Sequence, residues 1–172
     1  EGGDVIVWDD FLFVGTCFSE DYRNYKTART NEYAIEILKE YFPKKRIIDL
    51  DLKKNDKVPY QGVLHLDCTF NPIGKDKCII YKDGFVDESD YQLIIDIFGE
   101  ENCFHITPEE MFEMYPNIFS ISPEVVVSDE TFTRMNDFLR NEWGFTVEEI
   151  PYREISKMGG LLRCSTMPLV RE

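Results

Sequence analysis

Two short strands joined by a turn are predicted near the start of the chain, in the stretch VIVWDDFLFVG (residues 5–15). Its two halves, Val5–Trp8 and Phe11–Gly15, are rich in the β-branched and aromatic residues that strands favour. The pair Asp9-Asp10 between them is typical of a turn. These residues form the first two elements of a unit that recurs along the chain.

The same order of elements, strand-strand-helix-strand, is predicted three times. In the first copy, a helix over Asn31–Tyr41, N-capped by Asn31, and a strand over Arg46–Leu50 follow the two strands. The other predicted elements are, in order, strands Val63–Phe70 and Lys77–Tyr81, helix Ser89–Phe98, strand Cys103–Ile106, helix Pro108–Met114, strands Ile118–Ile121 and Glu124–Ser128, a helix capped by Ser128 or Asp129 and ending at Asn141, and strands Thr146–Ile150 and Leu161–Thr166. Copies of a ββαβ module spaced by about 55 residues predict an α/β fold whose modules lie side by side around an axis, each adding strands to a central site.

Length and charge limit the class of protein and its partners. The 172 residues fit a single domain, residues 1–172, and 33 acidic against 19 basic residues give a formal net charge of −14. Nucleic acids and anionic membrane surfaces attract Lys and Arg, so neither is expected as a partner.

The cysteines and histidines bear on metal sites and on the cellular compartment. None of the five cysteines has C-x-x-C spacing and only two histidines are present, so no structural zinc site is expected. An odd number of scattered cysteines favours a reducing environment. The chain shows neither a signal peptide nor a long apolar run. We therefore expect a cytoplasmic protein.

Three residues are candidates for chemistry. Cys164 follows a Gly-Gly pair whose backbone freedom can bring the thiol to a cleft, although free cysteine is also a common core residue. A thiolate nucleophile needs a general acid/base, and His65 is the candidate. In the predicted strand Val63–Phe70, His65 and Asp67 point to the same side. That pattern fits a polar site and an exposed sheet face equally well.

Taken together and in order, several segments resemble motifs of the guanidino-group-modifying superfamily. This superfamily includes arginine deiminases, dimethylarginine dimethylaminohydrolases and glycine amidinotransferases. The segments are EGGDV (1–5), FVG (13–15) followed by RTN (29–31), HLDCTFNPIG (65–74), NIF (117–119) and GGLLRC (159–164). The resemblance covers the whole chain and implies a pentein-type α/β propeller of repeated ββαβ modules.

The resemblance also implies three catalytic residues. Cys164 matches the nucleophile, His65 matches the general acid/base, and Glu1 matches the carboxylate that orients the histidine. A nucleophile, a proton carrier and an orienting acid together make up a set able to perform covalent catalysis.

Three further positions are implied to bind the substrate. Asp67 matches a carboxylate that grips the planar guanidinium in a bidentate pair. Arg29 matches an arginine that binds the α-carboxylate of the substrate in the hydrolase branch. Asp4 is grouped with them by its motif position, and for it we expect a hydrogen-bonding, structural role.

The implied reaction cleaves the guanidino group of arginine or a substituted arginine through a covalent amidino-cysteine intermediate, with no metal or organic cofactor. Water as the second nucleophile makes the enzyme a hydrolase, and an amine makes it an amidinotransferase. Arg29, and the lack of an arginine in YKDG (81–84), favour hydrolysis, although the run HLDCTFNPIG is similar to that of the transferases. A non-catalytic binding or scaffold module is the alternative of another class.

Whole members of the superfamily carry N-terminal modules ahead of the acid-Gly-Gly-Asp segment, which here begins at Glu1. The resemblance therefore implies that the chain is the C-terminal portion of an amidinotransferase-like propeller, incomplete by itself. Exposed strand edges favour association. We expect either a homo-oligomer or a missing N-terminal segment.

Overall fold

The structure, a computed structural model, describes residues 1–20, 22–157 and 159–167. The strands in these ranges are β1 (Val5–Trp8), β2 (Phe11–Thr16), β3 (Arg46–Asp51), β4 (Phe70–Ile73), β5 (Lys77–Ile80), β6 (Cys103–His105), β7 (Phe119–Ser120), β8 (Val125–Asp129) and β9 (Thr146–Ile150). The α-helices are α1 (Glu32–Tyr41), α2 (Glu88–Phe98), α3 (Pro108–Phe112), α4 (Thr133–Asn141), α5 (Arg153–Ser156) and α6 (Leu162–Ser165). No helix of the described ranges has the length and apolar character needed to cross a membrane.

The strands form three sheets of three strands, and each sheet comes from one continuous part of the chain. In every sheet the first two strands pair antiparallel, and the second pairs parallel with the third. In the first sheet Val5 lies opposite Val14, and Trp8 lies opposite Phe11. A parallel pair needs a crossover, which a helix supplies in each sheet. The predicted ββαβ module is thus confirmed in all three copies.

Helix capping differs between the first and third modules. Asn31 caps α1 as predicted, because its side chain accepts a hydrogen bond from a backbone N–H of the first turn. The cap predicted for α4 at Ser128 or Asp129 is wrong, since the helix begins only at Thr133. The Asp129 carboxylate instead accepts hydrogen bonds from two backbone N–H groups outside the helix.

The strand predicted at Val63–Phe70 is wrong for most of its length. Only Phe70 enters a strand, and the residues before it form an irregular segment with a 3-10 turn at Leu66–Cys68. Some backbone groups of this segment bond to side chains and not to a neighbouring strand: the N–H of Leu66, for example, donates to Asp4 Oδ1 at 3.1 Å. Partners distant in sequence therefore override a strand-like pattern.

The strand predicted at Leu161–Thr166 is also wrong, because this segment forms the single helical turn α6. Gly160, just before it, has a φ of 91°, a conformation that residues with a Cβ resist. The backbone N–H groups of Leu161 and Cys164 both donate to Asn117 Oδ1, at 3.2 and 3.3 Å. One side chain of another module thus closes the turn.

Aromatic side chains join the first two modules in the core. Phe13 and Phe70, both fully buried, meet edge to face with ring centroids 5.1 Å apart. Phe98 of α2 lies 5.8 Å from Phe70. Such pairs contribute about 0.5–1.5 kcal/mol beyond the burial of their area. Buried residues of all three modules belong to one continuous cluster, so the modules share a core.

The first strands of the three sheets converge. Residues of β1, β4 and β7 line a common small cavity of about 70 Å³. Asn71 of β4 links two modules here, since its side-chain amide donates to the carbonyls of Pro116 at 2.6 Å and Ile118 at 3.1 Å. The first strands of the three modules therefore border one small cavity.

Candidate active site

An open cavity of about 720 Å³ collects residues from distant parts of the chain. Glu1, His65, Asp67 and Cys164 all line it. The structure thus brings together the predicted nucleophile, acid/base, orienting acid and guanidinium-binding carboxylate. Within the described ranges, no group of three or more His, Cys, Asp or Glu side chains is placed to hold a metal ion.

Glu1 and Gly3 hold His65 in place. His65 Nε2 lies 2.8 Å from Glu1 Oε2, and the other carboxylate oxygen, Oε1, accepts a hydrogen bond from Arg29 Nη1 at 3.2 Å. The hydrogen bond with His65 lowers the pKa of the Glu1 carboxyl below its usual value, and the charge of Arg29 adds to this effect. The imidazole also rests on the backbone of Gly3, where an added Cβ would lie 2.7 Å from His65 Nδ1.

Asp67 is a buried carboxylate in the cavity wall, 2% exposed. Its Oδ2 lies 3.9 Å from Cys164 Sγ and 3.7 Å from Arg163 Nε. Burial raises the pKa of Asp67 above its usual value, and the positive charge of Arg163 opposes that rise. Because water screens this carboxylate poorly, a cation that enters the cavity is attracted to it strongly.

Cys164 is positioned by Asn117, which is fully buried. Asn117 Nδ2 donates to Cys164 Sγ at 3.4 Å, and Asn117 Oδ1 accepts from the backbone N–H of Cys164 at 3.3 Å. Burial raises the pKa of the Cys164 thiol and the charge of Asp67 raises it further, whereas the hydrogen bond from Asn117 lowers it. The surroundings of Cys164 thus favour the neutral thiol, and a positive charge beside Asp67 favours the thiolate.

Accessibility also distinguishes Cys164 from the other thiols. All five cysteines are free, and Cys164 is exposed while the other four are buried. Asn117, in contrast, belongs to a motif-like segment, but its sequence context predicts no role for it. The residue type alone does not reveal its function, because its partners lie 44 to 47 residues further along the chain.

Two of the predicted substrate-binding residues lie outside the cavity. Asp4 is 1% exposed, and its two oxygens accept hydrogen bonds from Thr30 Oγ1 at 2.6 Å and from the N–H of Leu66 at 3.1 Å. This geometry favours the structural role for Asp4. Arg29 pairs with Glu1 and approaches the site only through that carboxylate. Neither Asp4 nor Arg29 is thus among the residues that line the cavity, and substrate binding by them stays a prediction.

A family model described as "N,N dimethylarginine dimethylhydrolase, eukaryotic" matches residues 1–171 of the chain. The chain belongs to this family. The superfamily of guanidino-group-modifying enzymes, which the sequence motifs resemble, is thereby confirmed.

Two relatives are similar to this chain in sequence. An uncharacterized protein, YkgA of Bacillus subtilis (strain 168), is 31% identical over 172 residues, covering 99% of this chain and 52% of that protein. The arginine deiminase of Latilactobacillus sakei subsp. sakei (strain 23K) is 39% identical over 67 residues, covering 39% of this chain and 16% of the deiminase. The chain thus spans about half the length, or less, of these relatives.

Solved structures share the α/β fold. The N-terminal domain of ArgZ, an arginine dihydrolase from the ornithine-ammonia cycle in cyanobacteria, superposes with a TM-score of 0.74 at 20% identity, over 94% of this chain and 53% of that one. SxtG, an amidinotransferase from Microseira wollei in the saxitoxin biosynthetic pathway, gives a TM-score of 0.74 at 18% identity, over 98% of this chain and 47% of SxtG. At these identities the likeness establishes the fold.

Proposed function

We propose that the protein hydrolyses the guanidino group of arginine or a substituted arginine through a covalent intermediate on Cys164. One observation carries the proposal: a single cavity holds the accessible thiol, a buried carboxylate 3.9 Å from its sulfur and a histidine bonded to a carboxylate. This is a nucleophile, a cation-binding group and an oriented proton carrier in one place.

The physical chemistry of the site supports an order of steps. A guanidinium cation that pairs with Asp67 offsets the negative charge that raises the pKa of Cys164. The proton of the thiol then passes to His65, and the thiolate attacks the central guanidinium carbon and forms a C–S bond. As the C–N bond breaks, His65 gives this proton to the departing nitrogen. His65 next takes a proton from the water that attacks the same carbon, and it returns that proton to the sulfur as the C–S bond breaks, which restores the thiol.

Glu1 has a supporting role in this scheme. Its hydrogen bond with His65 fixes the orientation of the ring that carries the proton. Arg29 holds the second oxygen of Glu1 and so limits the movement of the carboxylate. In this scheme Arg29 acts on His65 only through Glu1, and it does not bind the α-carboxylate of the substrate.

An amidinotransferase is the second candidate, with an amine in place of water. The run HLDCTFNPIG (65–74) favours it, as does the likeness in fold to SxtG. The finding that Arg29 lies outside the cavity removes one argument for the hydrolase. Identification of the reaction product therefore distinguishes the two reactions.

The proposal extends to the whole protein. The chain spans about half the length of its relatives, so the activity is proposed for a complete propeller to which residues 1–172 contribute the C-terminal domain portion. The convergence of β1, β4 and β7 on one small cavity supports the propeller arrangement. The free thiols support a reducing, cytoplasmic location.

The test is the intact mass of the protein after incubation with arginine and rapid acid quenching, beside a Cys164→Ser control. An adduct that keeps the ornithine portion, together with citrulline and ammonia in solution, is the result expected of the hydrolase. An adduct that keeps only the amidino group, together with free ornithine, indicates the transferase. The control is expected to show neither adduct nor turnover.

Some results contradict the proposal outright. Turnover that survives in Cys164→Ser excludes covalent catalysis by this residue. Tight binding of arginine and methylated arginines without adduct or product, in wild type and control alike, favours the non-catalytic binding module.

A further inference from the structure

A half-buried lysine holds the backbone immediately before His65. The ammonium group of Lys54 donates hydrogen bonds to the carbonyl oxygens of Val63 at 2.9 Å and Leu64 at 2.8 Å. These are the two residues that precede His65 in the chain. One side chain thus fixes two consecutive carbonyls of the segment that carries the proposed acid/base.

The backbone after His65 is held as well. The N–H of Leu66 donates to Asp4 Oδ1 at 3.1 Å, and the carbonyl of His65 accepts from the N–H of Cys68 at 3.1 Å. Burial lowers the pKa of Lys54, and the charge of Asp4 is the largest influence that opposes this. Two groups of opposite charge, the half-buried Lys54 and the buried Asp4, therefore hold the segment on either side of the histidine.

Two cavities border this segment. His65 and Asp67 face the large cavity, while Val63, Leu64 and Cys68 line a second cavity of about 330 Å³. A side chain that borders a cavity makes fewer contacts than one in a close-packed interior, although Val63 and Cys68 are themselves buried in the core. Hydrogen bonds to the backbone therefore add to the restraint that packing supplies. Because burying an ammonium is costly, these bonds are its physical compensation.

We propose that Lys54 is a positioning residue for His65, holding the backbone that sets the imidazole against Glu1. The role is indirect, because Lys54 does not line the cavity that contains Cys164. Only the kinetic part of the test rests on the proposed function, since the position of the ring can be measured without turnover.

The primary experiment follows the two histidines by NMR in protein labelled at histidine. His65 and His105 are the only histidines in the sequence, so their ring signals can be assigned by one substitution. In Lys54→Met, we expect the His65 signals to shift or broaden and the His105 signals to stay unchanged. Lys53→Met is the matched control, because Lys53 is the exposed neighbour and its side chain makes neither bond.

Kinetics provide the second readout. A misplacement on the order of 1 Å can cost about 100-fold in rate, so kcat for arginine is expected to fall by about 10- to 100-fold in Lys54→Met with a much smaller change in KM. The alkylation rate of Cys164 by iodoacetamide should stay as in the wild type, because Asn117 still holds the thiol. Lys54→Arg keeps the cation and its donors and should recover part of the loss.

The outcomes separate the two proposals. Folded Lys54→Met with wild-type His65 signals overturns the positioning role, even if its melting temperature falls. If Lys54→Met does not fold, Lys54→Gln replaces it, because its amide keeps two N–H donors. Wild-type His65 signals in folded Lys54→Gln then overturn the positioning role in the same way. Displaced His65 signals in a protein whose wild type leaves arginine and methylated arginines untouched support the positioning role and reject the proposed reaction.

Discussion

Asn117 binds Cys164 through both polar atoms of its side chain, accepting from the backbone N–H at 3.3 Å and donating to the sulfur at 3.4 Å. A carboxamide suits this task because one rigid group carries a donor and an acceptor. Asn117 itself does not line the cavity. The reactivity of the thiol therefore depends on a buried residue behind it.

Replacement of Asn117 by Asp is expected to suppress the reactivity of Cys164. The variant keeps the size of the side chain but exchanges a donor for a charged oxygen next to the sulfur, which raises the pKa of the thiol. Each unit of that rise lowers the thiolate fraction at neutral pH about tenfold. The measurement is the rate of alkylation by iodoacetamide as a function of pH, and the midpoint should move to higher pH.

Asn141→Asp is the matched control for this experiment, since Asn141 is exposed at the end of α4. Its alkylation profile should follow the wild type. An unchanged profile in folded Asn117→Asp would contradict the view that Asn117 tunes the thiol.

Replacement of Asp67 by Asn is expected to have opposite effects on reactivity and on turnover. The charge of Asp67 raises the pKa of Cys164, so its removal lowers that pKa. A thiol with a raised pKa stays protonated until the pH passes that value, and lowering the pKa moves its alkylation curve to lower pH. Alkylation at neutral pH should therefore become faster, while arginine turnover is lost with the group that binds the guanidinium.

Asp76→Asn serves as the comparison, because Asp76 is an exposed acid outside the cavity. It should leave both alkylation and turnover unchanged. Slower alkylation in Asp67→Asn, or full turnover, would show that Asp67 has another role.

Gly3 and Gly2 offer a paired test of the support beneath His65. An alanine Cβ at Gly3 would lie 2.7 Å from His65 Nδ1, whereas a Cβ at Gly2 meets nothing within 4 Å. Gly3→Ala should displace the imidazole from Glu1 and lower kcat by about 10- to 100-fold, as expected for a shift on the order of 1 Å. Gly2→Ala should retain wild-type kcat, and equal losses in the two variants would refute this account.

Much of the fold could be predicted because its signals are local. The helix α1, for example, is marked by its cap at Asn31 and by apolar residues at helical spacing, and its predicted limits agree with the structure within one residue. The strands β1 and β9 were predicted with the limits that the structure shows. The repetition of such local units was enough to predict three ββαβ modules.

The two segments that carry the site chemistry were mispredicted for a common physical reason. The residues before Phe70 have an apolar pattern suited to a strand, but three of their backbone groups bond to the side chains of Asp4 and Lys54. The segment around Cys164 bonds to Asn117 in the same way. These partners lie outside the local segment, so no local pattern reveals them. The motif resemblance depends on residue identity and not on conformation, and it selects His65 and Cys164 as candidates.

The single turn α6 has a consequence for how the protein loses activity on heating. Asn117 accepts the backbone hydrogen bonds of Leu161, Leu162, Arg163 and Cys164, so the bonds that hold the backbone of the turn converge on one residue. A segment whose backbone has few independent attachments opens at lower free energy than the sheets around it. Inactivation should therefore precede melting: turnover should disappear at a temperature where circular dichroism still reports intact strands and helices.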